Sequence, residues 1–217
     1  MKERKCIIFD IDGTLTNSEE GILNSVKYAL EQFGLEADMK TLRTFIGPPL
    51  AHSLKKHTKL SDDEITEAVR IYRDHFARVG FFQNHLYPGI WELLEDLAKA
   101  GKVLAVATNR IQPEADKVVR DLKLDTFFPP ELVVGAPLRT EDTDKAKSVA
   151  AILQRTGCRP EEAVMVGDRE FDLLAAKANG VAAVAVMYGF GSPEEIQACH
   201  PEAAVGSVEE LRRLLLG

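Results

Sequence analysis

Five short runs rich in β-branched residues, at 6–9, 103–107, 132–134, 163–166 and 182–186, restrict what this chain can fold into more than any other feature. Each run is apolar at both alternations, so neither face of such a strand could meet water. That is the pattern of central strands in a parallel sheet covered on both sides. Segments of helical period lie between most of the runs. Residues 88–100 set Ile90, Leu93, Leu94 and Leu97 on one stripe, 113–122 follow the second run, and 144–156 carry Val149, Ile152 and Leu153. Parallel strands need a crossover between them, and a helix is the usual one, so the alternation predicts a doubly wound α/β fold.

One stretch departs from this alternation. Between 17 and 85 no strand is predicted, but two amphipathic helices are: one carries Ile22, Val26, Ala29, Leu30 and Phe33, the other Ile65, Ala68, Val69, Tyr72 and Phe76. The second opens on Ser61-Asp62-Asp63-Glu64, the spacing of a capping box. The expected organisation is therefore an α/β core built from 1–16 and 86–217, with a small all-helical domain, 17–85, inserted after the first strand.

The formal charge of −7 argues against a nucleic-acid backbone as the main partner. The longest apolar runs, such as 182–187, fall far short of the ~20 residues needed to cross a bilayer. The N-terminus, Met1-Lys2-Glu3-Arg4-Lys5, has no apolar leader, so a cytoplasmic protein is expected. Cys6, Cys158 and Cys199 show neither disulfide nor zinc spacing. What remains is a small ligand, with neither nucleic acid nor membrane as partner.

The chemistry concentrates at predicted strand ends. The first run leads into Asp10-Ile11-Asp12-Gly13-Thr14-Leu15, two carboxylates where open α/β sheets bind ligands, followed by a glycine that permits a tight turn. The second leads into Thr108-Asn109-Arg110, a hydroxyl and successive N–H groups before a helix, suited to cradle phosphate. The fourth leads into Gly167-Asp168-Arg169-Glu170-Phe171-Asp172. Taken singly, these read as a turn, an N-cap and acids favoured by a helix dipole. Taken together they bring four acids to one edge of one sheet. Two carboxylates about 4 Å apart repel by roughly 4 kcal/mol at an effective dielectric of 20. A cation must offset that, and with only oxygen ligands on offer a hard ion is favoured, magnesium above all when a phosphate shares it.

Asp10-x-Asp12-Gly13-Thr14, Thr108-Asn109, a lysine near 145 and Gly167-Asp168-x-x-x-Asp172 resemble, in order and spacing, the four motifs of the haloacid dehalogenase superfamily of phosphohydrolases. The helical insert resembles that superfamily's cap. Thr44-Phe45-Ile46-Gly47-Pro48-Pro49-Leu50, Tyr72-Arg73 and Tyr87-Pro88-Gly89-Ile90 are similar to its phosphoglycolate-phosphatase-like branch. The resemblance implies a Rossmann-like core and a Mg2+-dependent phosphatase acting on a small phosphate monoester through an aspartyl phosphate. Asp10 would be the nucleophile and Asp12 the general acid and base. Thr108, Asn109 and a lysine would hold the phosphate, and Asp10, Asp168 and the Asp12 carbonyl the metal. Asp172 would orient the lysine or a metal-bound water.

Lys145 and Lys147 both offer that lysine; the resemblance favours Lys145, which stands four residues before Val149 and eight before Leu153 as the related lysine helices are patterned. In the cap, Arg43, Gly47 and Pro48 are candidates for contacting the substrate. Two departures bear on substrate: Asn17 stands where many relatives carry an acid, and Arg110 where lysine is commoner. A phosphomutase of the same superfamily and a phosphorylatable receiver-type module are the competing readings. Monomer and homodimer are equally compatible with the sequence.

Overall fold

The computed structural model describes residues 1–137 and 144–217. In chain order the elements are β1 (Cys6–Phe9), β2 (Thr16–Asn17), α1 (Glu19–Glu31), α2 (Met39–Arg43), α3 (Leu50–His57), α4 (Asp62–Arg78), β3 (His85–Leu86), α5 (Ile90–Lys99) and β4 (Val103–Ile111). There follow α6 (Gln112–Asp121), β5 (Val133–Ala136), α7 (Lys145–Thr156), β6 (Ala163–Gly167), α8 (Glu170–Ala178), β7 (Ala182–Val186), α9 (Pro193–Cys199), β8 (Ala203–Val205) and α10 (Val208–Leu216). They form two compact units, Met1–Thr16 with Leu86–Gly217, and Asn17–His85.

The first unit is the α/β fold that the apolar runs predict. Its six strands lie in the order β5-β4-β1-β6-β7-β8 and every pairing is parallel. Counted along the chain this is three-two-one-four-five-six, the Rossmann order, in which the crossovers reverse direction at the first strand. Strand β1 is central: Cys6 to Phe9 pair with Val103 to Val106 on one side and with Ala163 to Val166 on the other. Alternation divides its side chains. Cys6 and Ile8 join Ala105, Met165, Ile152, Leu173 and Ala176 in one core cluster, so Ile7 and Phe9 point to the other face, where the Phe9 ring meets Phe128 edge-on at 6.2 Å. All four β1 residues are fully buried, which accounts for the unbroken apolar run.

The structure corrects the sequence reading in several places. Strand β4 does not stop before Thr108; it runs on to Ile111, with a register shift against β5 between Ala107 and Ile111. Strand β5 starts one residue late because Pro130–Leu132 form a 3-10 turn. The edge strand β8 was not predicted, since three residues carry no readable period.

The second unit contains four helices where two were predicted. The expected stripe of α1 is buried at Ile22, Val26, Ala29 and Leu30, and that of α4 at Ile65, Ala68 and Phe76. The capping box of α4 is formed in both directions between Ser61 and Glu64. Helices α2 and α3 have only five and eight residues, too few to impose a period. The segment is also not strand-free: β2 and β3, two residues each, pair where the chain leaves and re-enters the first unit. Among the described residues no helix is long and apolar enough to cross a membrane.

Candidate active site

Strand β1 delivers Asp10 to the carboxyl edge of the sheet, where its N–H still bonds Val166 O at 3.0 Å. The chain then turns tightly: the N–H groups of Leu15 and Thr16 both donate to Ile11 O, and Gly13 N–H to Thr16 O. Gly13 sits at φ +84°, and a Cβ there would lie 2.1 Å from Asp168 Oδ2. Two independent reasons thus demand glycine: backbone conformation and the close approach of a carboxylate.

Asp168, at the end of β6, is fully buried. Its Oδ2 accepts the Phe190 N–H at 2.7 Å and its Oδ1 the Thr14 hydroxyl at 3.3 Å. The 187–191 loop therefore grips this carboxylate, and the Tyr188 hydroxyl ties the same loop to Thr14 O at 3.1 Å. Asp172, in the first turn of α8, accepts the Arg169 N–H on Oδ2 at 3.0 Å and the Lys145 ammonium on Oδ1.

Lys145 is the first residue of α7. Its Nζ lies 2.5 Å from Asp172 Oδ1 and 3.0 Å from Asp10 Oδ1. Lys147 stays outside, 80% exposed, with Asp144 at 3.8 Å as its ion-pair partner. Thr108 is buried, and its Oγ1 accepts the Arg110 N–H at 3.2 Å. Asn109 and Lys145 line the same cleft of about 290 Å³, beside Phe171.

Asp12 does not join this cluster through its side chain. Its carboxylate is clasped by Arg110, Nε to Oδ2 and Nη2 to Oδ1, both at 2.6 Å. The sequence reading marked Arg110 only as a departure from the family pattern and missed this partnership. Arg43, Gly47 and Pro48 lie in the second unit. There Arg43 Nε pairs with Glu19 at 2.6 Å on the surface, and Gly47 takes φ +103° in the loop before α3.

The electrostatics follow from burial. Burial pushes the Asp10 carboxyl up to about 7; the Lys145 ammonium opposes the rise, while Asp172 and Asp12 add to it. Asp168 is pushed well above the usual carboxylate range by burial, then by Asp172 and Asp10, against the pull of the Phe190 N–H and Lys145. Burial acts to lower Lys145, but Asp10 and Asp172 more than offset it and hold the ammonium charged. One ammonium cannot answer three buried carboxylates. Asp10, Asp168 and Asp172 each offer an oxygen, all within 4.8 Å of one another, and Asp10 Oδ1 accepts no hydrogen bond of good geometry. A buried, all-oxygen, electron-rich pocket fits a hard divalent cation such as Mg2+.

A parallel sheet of Rossmann order, acids at its carboxyl edge and a lysine entering from the helix that follows the third sheet strand define a phosphoryl-transfer type of site. Comparison with known proteins names its family. Residues 7–186 match the model of the haloacid dehalogenase-like hydrolases, and the chain belongs to that family; it is a hydrolase of the phosphatase kind. It is 38% identical over 210 residues to a 5'-nucleotidase of Pseudomonas aeruginosa, covering 96% of this chain and 94% of that one. It is 35% identical over 212 residues to the tyrosine-protein kinase PtkA of Mycobacterium tuberculosis, covering 96% of this chain and 72% of that one. Among solved structures, a haloacid dehalogenase-like hydrolase from Streptococcus pneumoniae superposes with a TM-score of 0.90 at 32% identity, covering 99% of both chains.

Proposed function

We propose that this chain is a Mg2+-dependent phosphatase that hydrolyses a small phosphate monoester through a phosphorylated Asp10. The observation that carries the reading is the buried set of Asp10, Asp168 and Asp172, two of them paired with the Lys145 ammonium, with a fourth carboxylate, Asp12, held apart by Arg110. With a cation bound beside it, Asp10 would be ionised and need no activating base, but it must approach a phosphoryl group that is itself negative. Mg2+, held by Asp10, Asp168 and the Asp12 carbonyl, would supply the charge that lets the two meet.

The remaining work falls to the chain. An Asp10 oxygen forms the bond to phosphorus as the ester oxygen leaves, and Asp12, as the acid, gives its proton to that oxygen. Water then attacks phosphorus and passes a proton to the Asp12 carboxylate, and the Asp10–phosphorus bond breaks to release phosphate. Lys145 and Thr108, with Asn109 alongside, steady the phosphoryl oxygens in both halves, and Asp172 aims Lys145. Arg43, Gly47 and Pro48 are assigned the choice among leaving groups.

Nucleoside 5'-monophosphates are the first substrates to test, given the 5'-nucleotidase relative, with phosphoglycolate beside them for the phosphoglycolate-phosphatase-like segments. A tyrosine-kinase relative points to a second reading, in which a hydroxyl other than water accepts the phosphoryl group, as a mutase would also require. Phosphate release from a panel of esters, with Mg2+ or with excess chelator, separates these readings. One phosphate per ester consumed, only with metal and never with Asp10→Asn, is expected. Turnover by Asp10→Asn would refute the nucleophile, and transfer to a second organic hydroxyl in place of water would favour a transferase.

A further inference from the structure

We propose that Arg110 is the positioning residue for the general acid and base, holding Asp12 by both carboxylate oxygens; this rests on the phosphatase reading and adds to it. Asp12 lies in the tight turn just after β1, and Arg110 lies on the neighbouring strand β4. Phe9 pairs with Val106 at the end of β1; beyond it the chain turns at Ile11 while β4 runs on to Ile111, which brings Arg110 within reach of Asp12. Arg110 can stand there because β4 continues past its register shift to Ile111. Its own N–H is pinned to Thr108 Oγ1, so its backbone and the proposed phosphate-binding hydroxyl move as one piece.

The geometry is specific. Nε and Nη2 take Oδ2 and Oδ1 separately at 2.6 Å, the planar fork that only arginine presents. The two side chains are 7% and 14% exposed, so little water competes for either partner. A carboxylate bound through both oxygens cannot rotate, whereas one bound singly can. A proton donor must meet the ester oxygen within hydrogen-bond distance, and a misplacement of about 1 Å can cost ~10²-fold in rate. Asp12 follows Asp10 by two residues on a tight turn. Without an anchor it would sample rotamers, among them those drawn toward the same cation as Asp10 and Asp168. Arg110 binds Asp12 outside that cluster; its two N–H groups take one lone pair of each oxygen, and the proton that Asp12 donates is carried on the remaining lone pair of one of them, turned toward the leaving oxygen.

Leaving-group dependence separates this role from a structural one or from direct phosphate binding. p-Nitrophenolate departs without a proton, whereas an alkoxide does not, so phosphorylation of Asp10 by p-nitrophenyl phosphate bypasses the acid. Arg110→Gln is expected to lower turnover of an alkyl ester such as glycerol 3-phosphate about 100-fold, while the initial burst of p-nitrophenol slows less than about 5-fold. Arg110→Lys, which keeps the charge but offers one bond at a time, should recover only part of the loss. In an Asp12→Asn background, Arg110→Gln should change turnover by less than 2-fold, because Arg110 would have nothing left to aim. Cooperative melting is monitored for each variant, and the double variant, an amide pair without buried charge, covers the case in which Arg110→Gln alone does not fold. Equal slowing of both esters by Arg110→Gln, or a loss that multiplies with that of Asp12→Asn, would overturn the proposal and assign Arg110 to the phosphate itself. Wild-type protein inert toward both esters would refute the phosphatase reading and this role with it.

Discussion

In the absence of metal, this protein should become less stable as pH rises toward neutrality, and Asp10 should be the cause. Its carboxyl is raised from 3.8 to about 7, first by burial. Between those values the folded state keeps a proton that the unfolded chain has released. The contribution of Asp10 is therefore fully present below pH 4 and lost as pH climbs through 7. A difference of about 3 pKa units corresponds to roughly 4 kcal/mol over the whole window, and the portion between pH 5.5 and pH 8 to about 2 kcal/mol. For a chain of this size that is a fall of about 4–8 °C in melting temperature. The assay is thermal melting in excess chelator across that range, with Asp10→Asn in parallel to subtract every other titrating group. The wild type should lose stability relative to Asp10→Asn as pH rises. Saturating Mg2+ should cancel the difference by binding the ionised form, adding about 3 kcal/mol at a hundredfold excess over its dissociation constant. Parallel curves for the two proteins in chelator would refute the reasoning, because they would mean that Asp10 carries no excess proton.

Lys145→Ala should cost at least 100-fold in activity and destabilise the fold by about 3–5 kcal/mol near pH 8, since it strands buried carboxylates, whereas Lys147→Ala should change both by less than the error of kinetics and melting. Gly13→Ala should abolish activity and lower stability by more than about 1–3 kcal/mol, from its positive φ and from a Cβ 2.1 Å from Asp168 Oδ2; a fully active variant would show that Asp168 can move aside freely. Arg43→Ala breaks only an exposed pair and should cost less than about 1 kcal/mol in a melt, yet change relative kcat/KM among esters with different leaving groups; uniform slowing of all esters would remove Arg43 from selectivity. Ca2+ in place of Mg2+ should suppress turnover in a phosphate-release assay, because its longer bonds and higher ligand number would misplace Asp10.

The sheet was legible because burial on both faces leaves strands no polar alternation to blur, so β1, β6 and β7 declare themselves as apolar runs. The acids of the site were legible for a related reason. In a parallel sheet every strand points its carboxyl end to the same edge, so Asp10 and Asp168, each just past an apolar run, had to become neighbours. Lys145 and Lys147 could not be told apart with certainty, since both follow Asp144 and only the direction of α7 turns one inward. The bond from Arg110 to Asp12 was beyond sequence reasoning. It depends on a register shift in β4 that extends the strand by four residues past Ala107, and nothing local to Thr108-Asn109-Arg110 encodes it. Helices α2 and α3 escaped because one or two turns hold too few apolar positions to define a face.

The paired dipeptides β2 and β3 carry a consequence for how such a chain can diversify. Neighbouring strands lie about 4.8 Å apart, so the polypeptide leaves Met1–Thr16 and returns at Leu86 through points that almost touch. For the α/β unit, the 69 residues from 17 to 85 amount to a hairpin loop of unusual length. Closing a loop costs entropy only as the logarithm of its length, so these residues burden folding by about 2.5 kcal/mol more than a four-residue turn would. Ancestral exchange, loss or enlargement of the segment would thus have left the sheet and its acidic edge nearly undisturbed. The segment between these two points can therefore be lengthened, shortened or replaced while the ends that join it to the sheet stay where they are.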